Sequence, residues 1–144
     1  MPHETMIKVR YSDTDCSGVV HHANYLVFFE IARIDMVNKI GIDHSKLEAE
    51  GYFFAVVGGK QRYHAPALYG DELRVQTYLR SVSKIRINFE FKILRGEVSI
   101  ATGETELLSL SRPPNPRPTP MSDEVLKKAR QYVEPIESGT GAES

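Results

Sequence analysis

The stretch Tyr11-Ser12-Asp13-Thr14-Asp15-Cys16-Ser17-Gly18-Val19-Val20-His21-His22-Ala23-Asn24-Tyr25 decides how this chain reads. It gathers two acids, a glycine, two histidines and a closing tyrosine, and an amphipathic run follows at once. Tyr25, Phe28, Phe29, Ala32, Met36, Val37 and Ile40 recur at steps of three and four. That spacing predicts one apolar face of a helix about sixteen residues long, with Gly41 as its stop. Asn24 is the expected N-cap. Asp15 and His22 fall just before that start, where free N–H groups and the helix dipole polarise a carbonyl or hold an anion. A carboxylate beside such a donor is the minimum equipment for acyl transfer.

Outward from this loop the chain is strand-rich. Upstream, Ile7 to Tyr11 alternates like a short half-buried strand. Downstream, Ser45 to Glu50 reads as a short helix stopped by Gly51. Tyr52 to His64 is a long strand, with Gly58 and Gly59 marking a bulge or a close backbone approach. After Gly70-Asp71, a strand carries Leu73, Val75, Thr77 and Leu79 on one face. Ser81 to Ser83 turns the chain. Ile85, Ile87, Phe89, Phe91 and Ile93 then alternate with polar residues, and Val98 to Ser111 is the last strand. Short turns between the later strands imply antiparallel pairing. One bulky helix against one antiparallel sheet is an α+β layer solution. Arg112 to Pro120 holds five prolines and continues neither element. Asp123 to Tyr132 is a short helix candidate capped by Ser122. A single domain is expected over 1–133, with a disordered tail over 134–144.

Composition narrows the function classes. The 144 residues carry a formal net charge of -1, which favours neither nucleic acid nor an anionic membrane as partner. No apolar run approaches the ~20 residues of a membrane span. Met1 to Thr5 lacks the regions of a signal peptide, and the single cysteine, Cys16, fits a reducing compartment. A cytoplasmic protein is the expectation.

The element order together with the first loop resembles the hotdog-fold acyl-CoA thioesterases, in particular the 4-hydroxybenzoyl-CoA thioesterase branch and its bacterial relatives associated with the Tol–Pal gene cluster. The residues carrying the resemblance are Tyr11, Asp13-Thr14-Asp15, Gly18-Val19-Val20, His22, Asn24-Tyr25, Phe29-Glu30 and Ala32-Arg33. Tyr69-Gly70-Asp71 with Leu73 and Val75 is a second, supportive match. The resemblance covers roughly residues 6–130. It implies a hotdog fold, a five-stranded antiparallel sheet wrapped around one long central helix. It also implies a homodimer or homotetramer with active sites at the dimer interface, an acyl-CoA substrate and no cofactor.

The resemblance assigns Asp15 as the catalytic carboxylate, either attacking the thioester carbonyl or activating water. The bland reading of Asp15 is an Asx-turn. His22 would lend its backbone N–H to the thioester oxygen, and its imidazole could assist proton transfer. Val20 and Tyr25 are candidates for the acyl site, although the helical phase of Tyr25 suits core packing equally. Coenzyme A is polyanionic, and Arg62, Arg80, Lys84 and Arg86 are candidates for its phosphates. Lys84 and Arg86 are expected to share a strand face. Glu30 and Arg33, three apart on the helix, read as an ion pair. Asp13 is expected to order the loop rather than react. Cys16 is not read as a nucleophile, since neighbouring acids raise a thiol's pKa. No metal set is expected, because adjacent histidines point apart in most backbones and no Cys/His spacing completes one.

Three alternatives share the fold. A carrier-protein thioesterase would use the same site without the nucleotide tail. A hotdog acyl-binding module would have no use for Asp15. A hotdog dehydratase fits poorly, since the His and the acid do not match its spacing. The aromatic run Tyr52 to Phe54 could line an acyl pocket or belong to the core.

Overall fold

The structure, a computed structural model, describes residues 2–134. Its strands are β1 (His3–Lys8), β2 (Tyr52–Tyr63), β3 (Glu72–Val82), β4 (Arg86–Arg95) and β5 (Val98–Ser111), and its helices are α1 (Asn24–Lys39), α2 (His44–Glu50) and α3 (Asp123–Arg130). The strands form one sheet in the order β1-β3-β4-β5-β2, every neighbour antiparallel. The expected α+β hotdog architecture is present.

Alternation built the sheet where it was clearest. Leu73, Val75, Thr77 and Leu79 on β3, and Ile87, Phe89, Phe91 and Ile93 on β4, are all buried on the face that meets α1. Strand β2 pairs with β5 and shifts register between Val56 and Gly58, at the predicted irregularity. Strand β1 runs earlier than expected. Its first residues pair with β3, His3 opposite Thr77, and backbone pairing does not require apolar alternation. It ends at Lys8, beyond which Val9 N–H donates to Asp71 O and the chain enters a single 3-10 turn at Tyr11–Asp13.

Helix α1 buries Tyr25, Phe28, Phe29, Ala32 and Met36, as its spacing predicted, with Val37 and Ile40 packed partly buried against the core. Phe29 stacks on Phe91 of β4, ring centroids 4.7 Å apart. It fits because β5 carries Gly103 beneath it: a Cβ there would lie 2.6 Å from Phe29 Cζ. Asp35 anchors the helix to β1, accepting from Thr5 Oγ1 at 2.7 Å and pairing with His3 Nε2 at 2.6 Å. The sheet therefore wraps α1 from β1 across to β5.

Asn24 is not the N-cap. It is the first helical residue, and Ala23 occupies the cap with no side-chain bond. Asn24 turns its amide to Asp13 instead. Ser122 does cap α3, accepting from Val125 N–H. Except for Glu134, the tail expected over 134–144 lies outside the described residues. Glu134 N–H donates to Leu79 O, so the chain is still docked on β3 at that point. No helix among the described residues is long and apolar enough to cross a membrane.

Candidate functional site

The loop ahead of α1 folds back on itself. Asp13 O accepts from His21 N–H at 3.0 Å, Thr14 bridges Val20, and Asp15 N–H donates to Val19 O at 2.9 Å. Gly18, at φ 85, closes the turn in a conformation that glycine adopts without a Cβ penalty. The returning arm is pinned to the segment before β3: Val20 N–H donates to Ala67 O at 2.8 Å, and Val19 bridges Leu68. Tyr69 N–H reaches Gly18 O at 3.3 Å. The two matching motifs thus meet in space. Asp71 braces the second one, accepting from Leu68 N–H and from Arg95 Nη1, both at 2.8 Å.

Asp15 stands exposed on the outgoing arm. Its Oδ1 accepts from Ser17 N–H at 2.8 Å and from Ser17 Oγ at 2.6 Å, which makes it an Asx-turn acceptor. The Ser17 hydroxyl and N–H hold its carboxyl below the ordinary carboxylate value. It is ionised at neutral pH, and the Val19 backbone lowers its pKa further. The Asx-turn fixes one oxygen and is compatible with reaction at the other.

His22 follows the returning arm at the head of α1. The N–H groups around it are spent: His21 on Asp13 O, Ala23 on His21 Nδ1, Asn24 on His21 O. Among the described residues the His22 N–H has no acceptor, and it lies at the positive end of a 16-residue helix. The imidazoles of His21 and His22 do not point apart as expected. They stack, centroids 4.3 Å apart. Among the described residues no group of three or more His, Cys, Asp and Glu could hold a metal ion.

Val20 and Tyr25 form the backing of the fold-back. Both are buried, and the Tyr25 hydroxyl accepts from Ala67 N–H at 3.3 Å. Burial pushes the Tyr25 phenol upward in pKa. Tyr63, at the end of β2, was not singled out from sequence. Its ring lies 5.3 Å from that of Tyr25, and its hydroxyl is 3.4 Å from His22 O and 3.0 Å from Gln61 Oε1. Only its place at the end of an apolar strand hinted at this role.

Beside Tyr63 a cleft of about 550 Å³ opens between α1 and β2, lined by Leu26, Glu30, Arg33, Val56 and Gln61 among others. Arg33 Nη2 and Glu30 Oε2 are 4.0 Å apart, the ion pair that the helical spacing predicted. Burial lowers the Arg33 pKa.

The four candidate phosphate ligands are not one patch. Arg62 lies on β2 opposite Thr102. Arg80, Lys84 and Arg86 cluster at the end where β3 turns into β4. Strand β3, of 11 residues, spans some 30 Å at ~3.3 Å per residue, and by the register Arg62 stands level with Gln76 near its middle, about 13 Å along the strand from Arg80. Lys84 does not share a strand face with Arg86: it sits in the bend, and β4 begins at Arg86. The register of the β3–β4 pair opens with Val82 opposite Ile87, which leaves residues 83–86 to make the turn. Arg80 pairs with Glu90 at 2.6 Å, and Arg86 pairs with Glu106. Among the described residues, Arg62 and Lys84 have no ion-pair partner.

Comparison with known proteins places this geometry. The family described as the thioesterase-like superfamily matches residues 9–129. The chain is 34% identical over 119 residues to the acyl-CoA thioester hydrolase YbgC of Escherichia coli O157:H7, across 81% of this chain and 88% of that protein. Among solved structures, a hypothetical protein of Thermus thermophilus superposes with a TM-score of 0.84 at 33% identity, covering 90% of this chain and 98% of that one. A DHNA-CoA thioesterase from Staphylococcus aureus superposes with a TM-score of 0.80 at 27% identity, covering 89% and 87%. The matched span includes the fold-back, the long helix and all but the outer strand of the sheet, and the chain belongs to the thioesterase-like superfamily.

Proposed function

We propose that this protein is an acyl-CoA thioester hydrolase, releasing a free acid and coenzyme A. The observation that carries the reading is the pairing, on one fold-back, of an exposed ionised Asp15 with an unspent N–H of His22 at a helix N-terminus. The relatives' names support the substrate class.

The thioester carbonyl oxygen accepts from His22 N–H, where the helix dipole favours the charge that develops. The Asp15 carboxylate either attacks the carbonyl carbon, expelling the thiolate and leaving an acyl–carboxylate anhydride for water to open, or takes a proton from the attacking water. The His22 imidazole would assist proton transfer or bind the leaving thiolate. Val20 and Tyr25 back the reacting end, and the acyl group extends into the cleft beside Tyr63. No metal or cofactor takes part.

A second copy completes the site. Leu26, Val27 and Ile31 on the outer face of α1 and Val56 and Val57 on the edge strand β2 are all exposed. Apolar side chains on a free edge and a free helix face support burial against another copy. Two antiparallel β2 edges would set the Asp15 end of one chain beside the Lys84 end of its partner. The partner's basic turn then meets the coenzyme phosphates that the chain's own turn, some 30 Å off along the strand, does not reach. We take the assembly to be a homodimer or homotetramer, built from a single domain over 1–133.

The finer placement belongs to the same proposal. The loop spacing supports the 4-hydroxybenzoyl-CoA thioesterase branch and its Tol–Pal-associated relatives, and the lone cysteine supports a cytoplasmic location. The test is hydrolysis of a panel of aryl-, short- and long-chain acyl-CoAs, with an acyl-carrier thioester included. Turnover of CoA thioesters above the carrier thioester is the expected result. Preference for the carrier thioester would move the substrate to the protein-bound alternative. Binding without turnover would favour an acyl-binding module.

A further inference from the structure

The proposed reaction does not use Asp13, yet Asp13 is the loop's only fully buried acid, 1% exposed. Its Oδ2 accepts from Arg10 N–H at 2.8 Å. Its Oδ1 accepts from Asn24 Nδ2 at 2.9 Å and from Arg10 Nη2 at 3.3 Å. Its own carbonyl accepts from His21 N–H at 3.0 Å. An ionised carboxylate only accepts, and every side-chain contact here is a donor aimed at it. Burial alone would raise its pKa, but these donors outweigh burial and hold it below the ordinary value.

The positions that Asp13 grips matter more than their number. His21 and Asn24 flank His22 on either side. Asp15 lies two residues downstream on the same extended arm, and Arg10 ends the segment that leaves β1. The side chain holds Asn24 and the main-chain carbonyl holds His21, so this one residue joins the arm carrying the carboxylate to the start of α1, beside the free N–H. We propose that Asp13 is the positioning residue of this site: by clamping Asn24 and His21 it sets the His22 N–H at the distance and angle that Asp15 requires. This rests on the proposed thioester hydrolysis. The clamp is also what turned Asn24 away from capping.

Asp13→Asn is the first variant. An amide at 13 can accept from Arg10 N–H, but it removes the charged acceptor of Arg10 Nη2 and forces the Asn24 amide either to face another NH2 or to turn over. The expected result is a fall in kcat of about 10²-fold, the size attached to a misplacement of ~1 Å, with KM for acyl-CoA nearly unchanged. Hydrogen exchange at the bonded His21 and Asn24 amides should quicken, since the start of the helix is no longer held. The second variant, Asp13→Asn with Asn24→Asp, restores the bond with its polarity reversed. It should recover most of kcat and slow the exchange again.

A single variant that keeps its kcat and loses only thermal stability would overturn the proposal, and so would a double variant no better than the single one. If Asp13→Asn fails to fold, Asn24→Ala removes one contact alone. It should lower kcat by about tenfold with KM held, and an unchanged kcat would overturn the clamp. If the wild type hydrolyses no thioester, the proposed function fails, and the amide-exchange comparison still decides the role of Asp13.

Discussion

Gly103→Ala should destabilise the protein by an amount that its packing sets. The new Cβ would lie 2.6 Å from Phe29 Cζ and 3.2 Å from Lys60 O. Phe29 has nowhere to retreat, because its other face stacks on Phe91 and both rings are at most 1% exposed. Overpacking of this kind costs about 1–3 kcal/mol. The loss of glycine's freedom in the unfolded chain offsets about 0.4–1 kcal/mol of it. The net expectation is a loss of about 1–2 kcal/mol, or roughly 2–8 °C in Tm for a domain of this size. Urea unfolding and calorimetry at one fixed protein concentration measure it, since association would make Tm concentration-dependent. Phe29→Leu in the same chain should return part of the loss, so that the two substitutions together cost less than their sum. A variant as stable as the wild type, or strict additivity of the pair, would refute the claim that Gly103 exists to admit Phe29.

Other outcomes concern the reaction. Because Ser17 holds the Asp15 carboxyl below its ordinary value of 3.8, Asp15 stays ionised across the neutral range and gains its proton only in strong acid. The kcat/KM profile should therefore be flat on its acid side from neutrality down to the onset of acid unfolding. A half-maximal rate near about pH 6.5 would move the essential ionisation to an imidazole. Replacing Lys84 and Arg86 together with Ala should raise KM for acyl-CoA about tenfold and leave kcat nearly intact. Charge-assisted contacts contribute ~1.5–3 kcal/mol each before the discount for exposure. A thioester lacking the nucleotide should be unaffected, and equal losses on both substrates would mark the turn as structural. Sedimentation at micromolar concentration should show at least a dimer, and a monomer would remove the partner's basic turn from the site.

The fold was legible where side-chain pattern and backbone agreed. The buried face of α1 and the inward rows of β3 and β4 follow from periodicity, because a core forces apolar residues onto one side of each element. Strand order was not legible, since β2 joins the far edge through pairing with β5 some fifty residues on. The outer face of α1 carried an unread signal: Leu26, Val27 and Ile31 make the helix apolar nearly all round, which points to burial on both sides. In the proposed site, Asp15 and His22 rest on the family resemblance, since spacing alone suits Asp15 to the Asx-turn that the structure shows. Burial of Asp13 was not legible, because its partners at Arg10 and Asn24 meet only once the loop folds back. Lys84 was misplaced because alternation alone does not say where a turn ends and a strand begins.

The most direct measurement of the central claim is steady-state hydrolysis of an acyl-CoA by the wild type and by Asp15→Asn, with the fold of both checked by circular dichroism. The substitution keeps the shape of the side chain and its acceptor for Ser17, and removes the charge. Loss of a catalytic acid–base group costs about 10²–10⁴-fold, so kcat should fall by at least 10²-fold in a variant that remains folded. A folded Asp15→Asn with wild-type kcat would contradict the account.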